Sequence, residues 1–170
     1  MRKIIVTILL LLPAAAFAQN GRVVIDIPPS LAARAAESVD VTLDGSMLRL
    51  ASRFLSDDDN SDLKGMVRKL EGIYVHSYEF ENDGEYDHSI VERVQKQIGP
   101  EWKRIVSVQS KLRENTEIYA LPKGDQLAGL VIIAAEPREL TIVNLVGIID
   151  LDKLASLEGN FGIPKVTKHE

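Results

Sequence analysis

Leu127-Ala-Gly-Leu-Val-Ile-Ile-Ala-Ala135 and Glu139-Leu-Thr-Ile-Val-Asn-Leu-Val-Gly147, joined by Glu136-Pro137-Arg138, decide the fold. Two apolar, β-branched runs around a short polar turn read as an antiparallel hairpin. In the first run Leu127, Val131 and Ile133 fall on one side, and Leu130 and Ile132 on the other. In the second, Leu140, Ile142 and Val146 oppose Val143 and Leu145. A sheet with one wet face alternates apolar and polar residues, so this hairpin is expected to be covered on both faces. Asn144 interrupts the second run, and a buried amide must find partners. It either anchors a bulge or marks a binding edge, and the structural role is favoured.

Outward from the hairpin, Trp102 to Ser110 and Thr116 to Leu121 read as two further strands, linked by the polar turns 112–115 and 122–125. Ile73 to Phe80 is strand-like and is followed by a turn at Asn82-Asp83-Gly84. A helix from about Asp87 to Ile98 aligns Ile90, Val91, Val94 and Ile98, has Ser89 and Glu92 at capping-box spacing, and stops at Gly99-Pro100. Nearer the start, Gly21 to Ile27 is an apolar lead-in closed by Pro28-Pro29, and Ser30 caps a helix through Glu37. Val39, Val41 and Leu43 alternate with polar residues. Ser46 begins a helix whose Met47, Leu50, Ala51 and Phe54 share a face, and Leu63, Met66, Val67 and Leu70 mark another, with Gly72 as its C-cap. Asp150 caps a last helix that turns Leu154 and Leu157 inward. The expected fold is α+β: N-terminal helices, then a strand–helix unit and an antiparallel four-stranded meander, forming one sheet packed by helices.

The address is written in the first eighteen residues. Arg2 and Lys3 precede the apolar run Ile4 to Leu12, Pro13 breaks it, and Ala16-Phe17-Ala18 supplies a small-x-small cleavage site. Residues 1–18 read as a signal peptide cleaved between Ala18 and Gln19, leaving a single domain over 19–170. Its core spans about 43–158, and a flexible tail covers about 160–170. The expected location is periplasmic or secreted, with no membrane anchor after cleavage. The 170-residue chain is 45% hydrophobic and 26% charged, with a net charge of −5 and no cysteine. That balance disfavours disorder and nucleic-acid binding, and the missing cysteine removes thiol catalysis, thiolate metal sites and lipidation.

Candidate chemistry is sparse. The acidic run Asp57-Asp58-Asp59-Asn60-Ser61-Asp62 lacks the spacing of a calcium loop, since Asp62 stands at its sixth position and Arg68 at its twelfth. It reads instead as acidic groups feeding a helix N-terminus. His76, His88 and His169 show no paired spacing for zinc. No nucleophile elbow or phosphate loop occurs, and Asp150 and Asp152 are ordinary helix-start carboxylates. No catalytic, cofactor or metal residue is assigned. Alternation places Tyr74, His76 and Tyr78 with Phe80 on one face, either as core around a hydrogen-bonded histidine or as a shallow ligand face.

Gly72-Ile-Tyr-Val-His-Ser-Tyr-Glu-Phe80, Trp102, Glu117-Ile-Tyr119 and the segment Gly129 to Gly147 together resemble a bacterial exported family, domain of unknown function 4252, from about Leu43 to Leu157. The resemblance implies an envelope protein. Some relatives are lipoproteins, and this chain departs from them in lacking the lipidated cysteine. It also implies a link to sigma-factor signalling through neighbouring genes, but no activity and no catalytic residues. The expected function is therefore a non-enzymatic exported interaction module, acting on a protein partner or on a second copy through Leu130, Ile132, Val143, Asn144 and Leu145. The alternative is a small-ligand-binding protein or hydrolase using the His76 face.

Overall fold

In the computed structural model, which describes residues 21–53, 64–110 and 115–150, an extended segment over 21–28 leads into α1 (Pro29–Arg34), β1 (Glu37–Asp44) and α2 (Gly45–Ala51). A helical turn at 64–67 then precedes β2 (Leu70–Glu79), α3 (Ser89–Gln97), β3 (Lys103–Val108), β4 (Asn115–Lys123), β5 (Gln126–Ala135) and β6 (Glu139–Ile149). All pairings are antiparallel, in the order β1-β2-β6-β5-β4-β3.

This order corrects the expected plan of N-terminal helices followed by a four-stranded meander. The sheet has six strands, and β1 and β2 extend it past β6, which pairs with β2 from Leu70↔Gly147 to Glu79↔Glu139. The N-terminal helices are short, with six residues in α1 and seven in α2. Such helices are marginal alone and hold by packing on the sheet. The reason lies in β6: apolar on both sides, it needs a hydrogen-bonded strand on each edge and cover on each face. β5 satisfies one edge and β2 the other.

Several local readings change with it. α1 begins at Pro29 behind an N-cap Pro28 that makes no side-chain cap bond, so Ser30 is not the cap. In α2 the cap is Asp44, which accepts the N–H of Ser46 at 2.8 Å and of Met47 at 3.0 Å. Leu48, not Met47 or Leu50, is the residue α2 buries. α3 starts at Ser89, and its N-cap His88 makes no side-chain cap bond. There Asp87, rather than a Ser89–Glu92 box, accepts the Ser89 N–H at 2.7 Å. Gly72 lies inside β2, with the Tyr74 ring over it, rather than at a helix end. The acidic run 57–62, Phe54, Leu63, the expected last helix, His169 and the tail about 160–170 lie outside the described residues.

Two apolar layers flank the sheet. On one face Tyr78, Phe80, Trp102, Val131, Ile133, Leu140 and Ile142 bury against Leu31 of α1, Val91 and Val94 of α3, and Val23, Ile25 and Ile27 of the leading segment. On the other, Leu70, Ala120, Leu130 and Ile149 pack with Leu48, Leu43, Val67 and Leu145. The packed body therefore starts well before residue 43.

The α2 cap supports a pH prediction. Hydrogen bonds from the Ser46 hydroxyl and from the Met47 and Ser46 amides hold the Asp44 carboxyl below its ordinary value of 3.8. A depressed folded value makes the cap stabilising above the unfolded value, and that contribution disappears as pH falls through the folded one. Asp44→Ala is expected to lower the melting temperature at about pH 6. The gap to wild type should narrow as pH falls below 3.8 and through the lower folded value, as thermal melts at several pH values would show.

Candidate functional site

The first face is closed by the chain itself. Alternation puts Asn144 beside Ile142 and Leu140, and only 1% of it is exposed. Its Oδ1 accepts the Val23 N–H at 2.9 Å, while Nδ2 donates to the Gly21 and Leu130 carbonyls, each at 3.1 Å. Residues 21–28 are thereby strapped across β6 and β5, with Val23, Ile25 and Ile27 turned inward. Close approach is needed there: a Cβ on Gly129 would lie 2.7 Å from Trp102 Cη2 and 3.0 Å from the Gly21 carbonyl oxygen. Farther along, Gln97 of α3 accepts the Asp26 N–H and donates to the Asp26 carbonyl, and Arg93 pairs with the Asp26 carboxylate at 2.9 Å.

The aromatic face of β2 divides. Tyr78 and Phe80 are core residues, and burial, then the charge of Asp40, raises the Tyr78 pKa. Tyr74 lies under the Arg22 guanidinium, 4.3 Å from the ring centroid, a cation–π contact that pins the strap's start. His76 is half-buried, with Nδ1 3.1 Å from Asp40 Oδ2 on β1. Tyr74, His76 and Tyr78 do share a face, and each has a partner within the chain.

A polar cluster joins α3 to β3 and β4. Glu117, 7% exposed, accepts from Arg104 at 2.9 Å, Gln95 at 2.7 Å and the Tyr119 hydroxyl at 2.8 Å. Burial and the adjoining carboxylate raise the Tyr119 pKa. A cleft of about 420 Å³ opens beside it, lined by His88, Gln95, Asn115, Glu117 and Ile133 among others. The donors engage both carboxylate oxygens, so the cluster ties α3 to the sheet.

Among the described residues the second face is covered unevenly. α2 lies over one end of β1 and β2, and the turn at 64–67 adds Val67 to the same apolar cluster. Toward the other end Val41, Val75, Ile132, Ala134 and Val143 are only half-buried, and Val39 is 41% exposed. α2 presents Met47 and Leu50 to solvent, at 54% and 48% exposure. Of the five residues expected to form an interface, Ile132 and Val143 stand in this open part. Leu130 is 1% exposed, Leu145 packs on the α2 cluster, and Asn144 is on the opposite face.

Comparison with known proteins bears on identity. The family described as Domain of unknown function (DUF4252) matches residues 34–157, which include the entire sheet. The chain belongs to the DUF4252 family. No curated protein and no solved structure matches it. Within this DUF4252 chain the matched span holds β1 to β6 and excludes the whole strap. Among the described residues no group of three or more His, Asp or Glu side chains is placed to hold a metal ion, and no helix is long and apolar enough to cross a membrane. Glu117 is the polar centre that residue-by-residue reading missed. Its signal was a charged side chain at an inward strand position, which demands a partner such as Arg104 on the neighbouring strand.

Proposed function

We propose that this DUF4252 protein is exported by cleavage after Ala18 and works in the envelope as a non-enzymatic protein-interaction module. Its docking surface is the open half of the second face. One observation carries this: the half-buried patch of Val41, Val75, Ile132 and Val143 lies beside α2, which presents Met47 and Leu50 outward. Uncovered apolar area costs about 25 cal/mol per Å², and contiguous patches of it mark interaction sites. The polar clusters support the same reading, since Asn144, Glu117 and His76 are engaged with neighbouring groups of the chain. A role in sigma-factor signalling belongs to this proposal as its physiological setting. A ligand site or hydrolase on Tyr74, His76 and Tyr78 has less support, because strap, core and β1 already occupy those side chains.

The test uses the mature chain as bait in an envelope extract. Wild type is expected to retain a defined protein, Val143→Asp to lose it with an intact melting transition, and Ile105→Asp, on the opposite edge strand, to keep it. Equal capture by Val143→Asp and wild type, or no capture, contradicts the proposal. Intact mass of the exported protein checks its other half: a chain starting at Gln19 agrees with it, and retention of Met1 to Ala18 does not.

A further inference from the structure

We propose that β1 is a dimerisation edge, two copies pairing antiparallel through it about a two-fold axis at Val41 and doubling the six-stranded sheet. β1 and β3 are the terminal strands, and natural sheets guard such edges against pairing. β3 is guarded: its register shifts between Arg104 and Val106, leaving a bulge at Ile105, and Lys103 stands at its start. β1 has neither device. It pairs with β2 over eight residues without a register break, contains no proline, lysine or arginine, and is mostly exposed along its length. Among the described residues its outer backbone groups meet no other strand.

The side-chain pattern then selects the partner. Ser38-Val39-Asp40-Val41-Thr42-Leu43-Asp44 has matching polarity on either side of Val41. Antiparallel pairing centred there sets Val39 against Leu43 of the second copy, Asp40 against Thr42, and Ser38 against Asp44. Apolar side chains meet on the second face, and every acidic residue in the paired span faces a hydroxyl. Moving the axis to Asp40 would oppose Asp40 to itself, and moving it to Thr42 would oppose Asp40 to Asp44 twice. Like charges directly opposite destabilise a pair, so the register at Val41 is the longest free of repulsion. The pairing would also cover Val39, 41% exposed in one copy, and is isologous, closing on itself as a dimer.

The chain has no cysteine, which makes the register directly testable in the full mature protein. Cβ atoms of opposed residues lie about 4.5–5.5 Å apart, close enough for a disulfide after slight adjustment. Val41→Cys is expected to form a disulfide dimer under mild oxidation. Val39→Cys and Leu43→Cys should each stay unlinked alone and link when mixed. Light scattering at about 100 μM should give twice the monomer mass for wild type and the monomer mass for Thr42→Asp, which places two acidic pairs across the axis. Thr42→Lys should tighten the dimer several-fold. Thr42 is exposed, and circular dichroism melts confirm that its variants fold. A monomeric wild type, a dimer indifferent to Thr42→Asp, or Val39→Cys self-linking as readily as Val41→Cys overturns the inference. Val41 belongs both to this edge and to the docking patch, yet the two claims separate: a monomer that still captures a partner through Val143 removes this inference alone.

Discussion

Gly147→Ala is expected to cost about 3–5 kcal/mol, enough to remove much of the stability of a domain of this size. Gly147 sits where β6 meets the irregular start of β2, opposite Leu70 and next to the register shift before Gly72. Its φ of +126° is a backbone state that side-chain-bearing residues rarely adopt. An added Cβ would lie 2.6 Å from the Lys69 carbonyl oxygen and 2.8 Å from both the Glu71 nitrogen and the Leu70 Cα. All three are backbone atoms, so no rotamer change relieves the overlap. The control is Gly124→Ala in the β4–β5 turn, at φ +62° with nothing within 4 Å of the new methyl. Its cost should stay near 1 kcal/mol. Urea midpoints of the two variants give the comparison. Equal shifts would show that the β2–β6 junction is looser than described.

Asn144→Leu is expected to cost about 2–4 kcal/mol and to release the strap. Leucine fills the space but leaves the Val23 N–H and the Gly21 and Leu130 carbonyls without the partner Asn144 supplies at 2.9–3.1 Å. Each buried polar group so orphaned costs about 1–3 kcal/mol, reduced where water reaches the freed segment. A melting temperature lower by roughly 10 °C follows for a domain of this length. The loss should be local as well as global. The Val23 amide should exchange faster, and trypsin should cut after Arg22 in the variant before it cuts wild type. Asn144→Leu with wild-type stability and an intact Arg22–Val23 bond would mean that Gln97, Arg93 and the apolar contacts of Val23, Ile25 and Ile27 hold the strap alone.

Strand periodicity was legible because β-branched alternation is local. The run from Leu127 to Gly147 announced that it forms a hairpin, but its doubly apolar pattern implied cover on both faces, which the second face has only at the Leu130 and Leu145 end. The strand order was not legible. That β2 lies beside β6 rests on Tyr74↔Asn144 and Val75↔Val143 pairings 70 and 68 residues apart, which no local pattern encodes. Helix faces failed where helices are short. In α2, two turns long, Met47 and Leu50 have the right spacing to point inward, yet the helix sits on the sheet's end and Leu48 takes the buried position. Gly72 suits a helix C-cap and also a strand whose neighbouring tyrosine lies flat over it, and the second won. For the candidate site, Asn144 was visible as a polar residue in an apolar strand. Two of its partners were hidden, being the backbone of a segment more than 120 residues earlier. Ile132 and Val143 were separable from Leu130 and Leu145 only once α2 was seen to cover one end of their face.

Among the described residues, burial therefore partitions the sheet: one face is sealed by residues 21–28 with α1 and α3, and the other over half its length. The proposal built on this is that the unsealed half, and not the strap side, is the surface that docks a protein partner. Site-specific photo-cross-linking in cells producing the full chain tests it most directly, with the reactive side chain placed in turn at Val75, Val143 and Val24. Val24 is 76% exposed on the strap and faces away from the sheet's open half. The account predicts discrete protein adducts from Val75 and Val143 and none from Val24. Adducts from Val24 with none from Val75 or Val143 would contradict it.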